Sequence, residues 1–227
     1  MNALSAEEKS LSSVERLYEA TKEMAISYQI KPGARINEVK LAGLLGGSRT
    51  PLREALNRLV AEGFLTFRRR QGFYCREFQP RDIHELYQFR SVIECAAARS
   101  ACEHASEEEL DRSSKFLDET GLGHSEKQVE KLVLLDEHFH ESIMSMTRNA
   151  EMIKVLKNVN ARIKFFRWID MESRRDSTQI EHRQILDAIR QRDPDLAAER
   201  IGAHIVRRMD QITTACKEGY SRIYLVT

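Results

Sequence analysis

From Pro80 to its end the chain reads as helix and nothing else. Apolar residues recur there at helical spacing over 80–104, 106–121, 125–148, 150–170, 173–192 and 194–217. The breaks are Ser106 as a cap, Gly121 to Ser125, Arg148-Asn149, Glu172-Ser173 and Asp193-Pro194. Six antiparallel helices with short connections predict a bundle, which builds sites from inward-facing polar side chains. Only 4 Pro and 10 Gly occur in 227 residues, which argues against a turn-rich β sandwich.

Charge divides the chain in two. Residues 1–78 hold 13 basic and 9 acidic side chains, and 79–227 hold 23 and 26. The whole carries only +1, so a nucleic-acid reading must rest on a local patch. Hydrophobic residues at 41% and charged residues at 31% exclude a disordered chain. Cys75, Cys95, Cys102 and Cys216 form no CxxC pair, which leaves reduced thiols and a cytoplasmic protein as the expectation. No stretch of about 18 apolar residues exists, so no membrane span is expected. Met1 to Ser10 is polar and lacks the apolar core of a secretory signal.

The basic part reads helix, helix, helix, hairpin. Leu11, Val14, Leu17, Thr21, Met24, Ala25 and Tyr28 mark a first helix, stopped by Lys31-Pro32-Gly33. Asn37 caps a second, Glu38 to Leu45, and Gly46-Gly47 makes the turn. Ser48 caps a third, Arg49 to Glu62, with Pro51 in its first turn and Leu52, Ala55, Leu56 and Leu59 facing inward. Phe64 to Arg69 and Phe73 to Phe78 read as short strands around Arg70-Gln71-Gly72. This order describes a winged helix-turn-helix, whose third helix enters the DNA major groove by its N-terminal end. That end carries Ser48, Arg49, Thr50 and Arg53. Arginine pairs bidentately with guanine, and small hydroxyls at a helix N-terminus suit phosphate oxygens. Arg68, Arg69 and Arg70 put three positive charges on the wing.

The run Pro32-Gly33, Leu41-Ala42, Leu45-Gly46, Ser48-Arg49-Thr50-Pro51-Leu52-Arg53-Glu54-Ala55-Leu56, Leu59, Glu62-Gly63 and Gly72 resembles the GntR family of bacterial transcription regulators. The resemblance implies that Ser48, Arg49, Thr50, Arg53 and the wing around Gly72, with Arg69 and Arg70, contact DNA. Val39 departs from it, since some relatives carry a DNA-contacting arginine at the corresponding place.

The helical part carries a possible metal constellation. Asp136 and His140 lie four apart and share a helix face. His182 lies between Ile180 and Ile185-Leu186, and His204 between Ile201 and Ile205, each beside an apolar stripe. Three imidazoles and a carboxylate suit a divalent transition metal with open positions. His138, two residues from Asp136, points elsewhere. A single histidine beside an apolar stripe is otherwise a satisfied core residue. Arg90 and Glu94 read either as a same-helix ion pair or as part of a ligand clamp, and helical phase does not choose among Asn160, Arg162 and Arg167 as further cavity residues. Phe165, Phe166 and Trp168 read as core or dimer packing. Asp136-Glu137-His138-Phe139-His140, Glu181-His182 and His204 resemble the FCD domain of the FadR subfamily of GntR regulators, and the six-helix count resembles its VanR-type branch. The resemblance implies Asp136, His140, His182 and His204 as ligands of zinc, with nickel or manganese as alternatives, and Arg90 as the clamp on an effector carboxylate.

The expected fold is mainly α: a winged helix-turn-helix DNA-binding domain over 1–78, then an FCD-like six-helix bundle over 79–227 that binds metal and effector and dimerises. The expected function is a cytoplasmic, metabolite-responsive transcription regulator and not an enzyme. It would act as a homodimer on a near-palindromic double-stranded DNA operator and answer to a small organic acid. The resemblance favours a repressor. Two alternatives remain: a metal-dependent hydrolase, or a regulator whose metal is purely structural.

Overall fold

The computed structural model describes residues 12–77, 79–121, 128–206 and 209–224, with backbone alone at 172–177, 209, 210, 220 and 222. The chain divides into two compact units, Met1–Phe78 and Gln79–Thr227.

The first unit runs α1 (Ser13–Ile26), α2 (Glu38–Leu44), α3 (Arg49–Ala61), β1 (Leu65–Arg68) and β2 (Gly72–Cys75). Helix α1 starts where the Ser12 hydroxyl accepts the Glu15 N–H at 3.2 Å, and it buries Leu17, Tyr18, Thr21 and Ala25. It ends five residues before the Lys31-Pro32-Gly33 stop. Tyr28 adopts φ 56°, and the Ile30 N–H donates to the Met24 carbonyl at 3.0 Å, so a left-handed residue closes the helix before the proline is reached. Tyr28 therefore leaves the helical stripe, and Leu11 lies outside the described residues. Asn37 caps α2 as expected, its Oδ1 accepting the Val39 and Lys40 N–H groups at 3.1 and 3.0 Å.

The α2–α3 turn needs both its glycines. Gly46 takes φ 60°, and a Cβ on Gly47 would stand 2.9 Å from both Leu17 methyl carbons. Arg16 of α1 holds the same turn by donating to the Leu45 and Gly46 carbonyls at 2.6 and 3.2 Å. Leu52, Ala55, Leu56 and Leu59 form the buried face of α3, as the sequence predicts. Ser48 occupies the N-cap position, but its hydroxyl makes no cap hydrogen bond. A cap accepts from the second or third helical N–H, and the third helical residue here is Pro51, which has none.

Strands β1 and β2 pair antiparallel from Leu65↔Cys75 to Arg68↔Gly72. Both are shorter than the sequence suggests, and the turn is Arg69-Arg70-Gln71, with Arg70 at φ 64°. Residues 33–36 add an edge to this ribbon. The Ile36 N–H donates to the Phe73 carbonyl at 2.8 Å, and the Cys75 N–H to the Ala34 carbonyl at 2.9 Å.

The second unit shows six helices among its described residues: α4 (Pro80–His104), α5 (Glu107–Gly121), α6 (Val129–Met146), α7 (Ala150–Arg190), α8 (Pro194–Ile205) and α9 (Met209–Tyr224). The number agrees with expectation, but two boundaries do not. Glu172-Ser173 is no break, because α7 runs helical for 41 residues that contain neither Gly nor Pro. The segment read as one helix over 194–217 instead divides after Ile205. Val206 turns extended at ψ 130°, and no Gly or Pro marks the place. Caps hold other boundaries. Ser106 and Glu109 exchange side-chain-to-backbone hydrogen bonds at 3.0 and 3.3 Å, a capping box. Asp193 caps α8 ahead of Pro194. Helix α4 presents Ala97, Ala98 and Ala101, all fully buried, and a Cβ on Gly202 of α8 would stand 3.2 Å from Cys95 Sγ. Small residues thus let helices approach closely around the interior. Phe166 is buried, and Trp168 packs on Val129, Leu132, Val133 and Met171, so these two join the core.

Candidate metal centre and nucleic-acid interface

Asp136, His140, His182 and His204 converge in the second unit. One ligand atom from each lies within 4.8 Å of all the others, and all four residues are buried. Asp136 Oδ1 stands 3.1 Å from His182 Nε2, 3.6 Å from His140 Nε2 and 3.7 Å from His204 Nε2. Helix α6 supplies two of the groups one turn apart, α7 supplies His182, and α8 supplies His204 from its last turn. Ile201, Ile205, Ile185 and Leu186 are buried beside the histidines as expected, whereas Ile180 is exposed and belongs to the outer face. His138 points away, exposed and against the Phe116 ring.

The shape of α7 makes the convergence possible. Arg167 donates to Asp136 Oδ2, and His182 lies at Asp136 Oδ1. Fifteen residues along a straight helix span about 22 Å, farther than an arginine and a histidine can bridge while both hold one carboxylate. Helix α7 therefore bends between Arg167 and His182. The stretch read as a chain break keeps a helical backbone.

The outer nitrogens of two imidazoles are held. His140 Nδ1 donates to Glu94 Oε2, and His204 Nδ1 donates to Glu181 Oε2 at 2.6 Å. With those protons on Nδ1, the Nε2 lone pairs of His140 and His204 face each other at 3.1 Å. Like lone pairs at that distance need a proton or a metal cation between them, so the donor set fits a metal ion. Burial pushes the His182 imidazole down to about 3, against the nearby Asp136 carboxylate, and keeps it in the neutral form a ligand requires. Burial alone would raise the Asp136 carboxyl, but His140 and Arg167 outweigh it and hold it well below the usual carboxylate range. Burial would likewise lower His204, and Asp136 and Glu181 outweigh it upward.

Arg90 and Glu94 do form the same-helix ion pair, with Nε to Oε1 at 2.5 Å, but it is buried and reaches the cluster through His140. Arg90 Nη2 has no hydrogen-bond partner among the described residues. Arg167 also donates to Glu137 at 2.8 Å. Glu94, Glu137 and Glu181 are thus each spent on a cation or an imidazole, which leaves none of them as a general base. Arg90, Arg167, Asp136, His204 and Tyr87 line a cavity of about 20 Å³, room for one water molecule. Asn160 is buried with both amide atoms unpartnered among the described residues, and it does not line that cavity. Glu94, Glu181 and Arg167 received no supporting role at the metal from the sequence. Their glutamate–histidine and arginine–carboxylate pairs cross between helices or between distant turns, so no local spacing could signal them.

In the first unit, Ser48, Arg49, Thr50 and Arg53 are all exposed at the start of α3, and Arg53 Nε lies 3.6 Å from Glu38 of α2. Arg69 and Arg70 are exposed at the wing tip, while Gly72 opens β2 at φ 92°. Arg68 differs from its neighbours, lying over the Tyr74 ring with its carbon 4.3 Å from the centroid. Val39, where an arginine was missed, is 62% exposed. No helix among the described residues is long and apolar enough to cross a membrane.

Comparisons with known proteins cover both units. Residues 13–75 match the family of bacterial regulatory proteins of the gntR type, and residues 85–207 match the FCD domain. The Nta operon transcriptional regulator of Aminobacter aminovorans is 40% identical over 204 residues, covering 88% of this chain and 95% of that protein. The uncharacterized HTH-type transcriptional regulator YdhC of Bacillus subtilis (strain 168) is 30% identical over 207 residues, 90% of this chain and 92% of that one. The solved structure of E. coli McbR/YncC superposes with a TM-score of 0.67 over 93% of this chain and 99% of that chain, at 20% identity, a likeness of fold.

Proposed function

The chain belongs to the GntR family of bacterial regulatory proteins and carries an FCD domain, and from that premise we propose a repressor whose DNA binding answers to a small organic acid at a metal centre. That it is a DNA-binding transcription regulator follows from the two domains and the relatives' names, and neither domain is enzymatic. The hydrolase alternative is thereby set aside.

The observation that carries the effector half is the convergence of Asp136 Oδ1 with three imidazole Nε2 atoms, two of them oriented by buried carboxylates. Asp136, His140, His182 and His204 would hold the ion, with zinc as the first expectation and nickel or manganese accepting the same donors. Such an ion, when bound, supplies a Lewis-acid point for a carboxylate. Arg90 offers the complementary fork: its Nη2 is unspent, and it lines the cavity beside Asp136 and His204. The cavity admits no organic acid as it stands, so entry requires lining side chains to move. Arg167, which holds Asp136 across that cavity, is the group to displace. An acid that prefers the displaced arrangement shifts DNA affinity by that preference and no more.

In the DNA half, Arg49 and Arg53 would read base edges, while Ser48, Thr50, Arg69, Arg70 and the backbone at Gly72 would meet phosphates. The Ser48 hydroxyl makes no cap hydrogen bond, which leaves it for a phosphate oxygen. One α3 spans only a few base pairs, so we read the working unit as a cytoplasmic homodimer on a near-palindromic operator. A metal serving structure alone remains the competing reading.

The test is operator binding by metal-loaded protein on a duplex selected from a random pool, titrated with sugar acids, hydroxy acids and aromatic acids, with Asp136→Ala as control. An acid that changes affinity in the wild type and not in the variant supports the reading. A metal-dependent rise in melting temperature with no acid response across the panel overturns it in favour of a structural ion.

A further inference from the structure

A second cavity, of about 170 Å³, opens between α5 and α6. It lies on a different face of α6 from the metal cluster. His138, Ser142 and Ser145 follow one helical stripe and line it, whereas Asp136 and His140 lie on another stripe and point into the bundle. For scale, an apolar cavity of about 150 Å³ accepts a benzene ring. One wall is aromatic, with the Phe116 and His138 rings 4.6 Å apart between centroids and tilted by 47°. A planar ring fits against such a wall by offset or edge contacts.

The charge in the lining is one-sided. Glu109 is the one acid among the lining residues, and Arg148 forks across both its oxygens, one contact at 2.8 Å. Arg112 lines the cavity and has no partner among the described residues. Ser113, 5% exposed, sets its hydroxyl 3.5 Å from that of Ser142. Ser142 and Ser145 spend their protons on the Phe139 and Ser142 carbonyls, both at 2.7 Å. With the Ser142 proton spent, Ser113 donates to Ser142, and Arg112 is the donor left to face a ligand. An uncommitted guanidinium beside an aromatic wall recognises a planar carboxylate.

We propose that this cavity binds a small planar monocarboxylate, an aromatic acid in class, at a site separate from the metal centre. The assignment does not depend on the effector reading above, and the two fail in different ways.

The experiment uses the full-length, metal-loaded protein, with benzoate as the probe and saturation-transfer NMR and calorimetry as readouts. Wild type binds benzoate saturably and binds benzyl alcohol more weakly. Arg112→Gln, an exposed change, weakens benzoate about tenfold, and Ser145→Trp, which fills the cavity, abolishes the signal. Asp136→Ala leaves the benzoate affinity within about twofold. Metal-stripped wild type gives the same comparison should that variant fold poorly. Absence of saturable binding in the wild type overturns the proposal. So does loss of the signal in Asp136→Ala and in stripped protein with Arg112→Gln unaffected, which would place the acid at the metal. Equal binding of benzoate and benzyl alcohol, insensitive to Arg112→Gln, overturns the carboxylate assignment.

Discussion

His140 gives its Nδ1 proton to one oxygen of Glu94, whose other oxygen accepts Arg90 at 2.5 Å. One buried carboxylate therefore orients a proposed metal ligand and neutralises the proposed effector clamp. Burial alone would raise it, yet Arg90 and His140 hold it down to about 2. Glu94→Gln is expected to lower zinc affinity about 10–100-fold by releasing the His140 tautomer. It also leaves buried Arg90 unpaired, at a cost of about 3–5 kcal/mol. Competitive zinc titration and denaturant unfolding check the two effects separately. Unchanged zinc affinity removes Glu94 from the site.

Arg53 is exposed at the start of α3 and only loosely held by Glu38. Arg53→Ala should cost about 1–3 kcal/mol of specific operator affinity and relax preference at one base position. Binding to a panel of single-base operator variants measures both. A uniform loss across the panel would reassign Arg53 to phosphate contact.

Arg69 and Arg70 differ from Arg68, which is stacked on Tyr74. Arg70→Ala should weaken DNA binding evenly across sequences and reduce the salt slope by about one unit. The plot of affinity against salt concentration decides the point, and an unaltered slope takes the wing tip out of the phosphate footprint.

Gly47 sits where a Cβ would meet both Leu17 methyl carbons at 2.9 Å, and Leu17 is fully buried. Gly47→Ala should destabilise the first unit by about 1–3 kcal/mol. Unfolding followed by helical signal, together with operator affinity, checks this. A variant as stable as wild type would show that Leu17 can yield.

Glu109 accepts both Arg148 nitrogens and the Ser106 N–H, and the Arg148 guanidinium holds its carboxyl near 2, below the ordinary 4.5. A lowered folded-state value means the stabilisation is fully present above about pH 4.5 and disappears as pH falls toward 2. Glu109→Gln should cost about 1 kcal/mol at pH 7, the exposed Arg148 limiting the gain by solvent screening. The gap to wild type should narrow on acidification between those limits. Urea denaturation at pH 7 and pH 3 measures it, and a gap that does not vary with pH would assign the effect to packing.

Local signals were legible wherever one stretch of chain decides. The inner face of α3, the Asn37 cap, the Ser106 cap and the Asp193-Pro194 start each depend on residues within a turn of one another. The convergence of the four candidate residues agrees with the sequence too. Asp136 and His140 share a face by spacing, and His182 and His204 stand beside residues that prefer burial. The failures have local causes of another kind. Tyr28 took a left-handed conformation that its side chain does not announce, and Pro51 removed one of the two N–H groups that Ser48 could cap.

The order of amphipathic segments and the types of candidate donor were thus set by the sequence alone, because helical periodicity, caps and donor chemistry act over a few residues. The tertiary structure decided that α7 stays helical through its bend and that α8 stops after Ile205. It also decided that Glu94 and Glu181 orient two histidines while Arg167 holds Asp136. These pairings depend on which buried charges meet across separate helices. Unpaired burial costs several kcal/mol, more than local helix propensity commands, so packing and not spacing settles the partners.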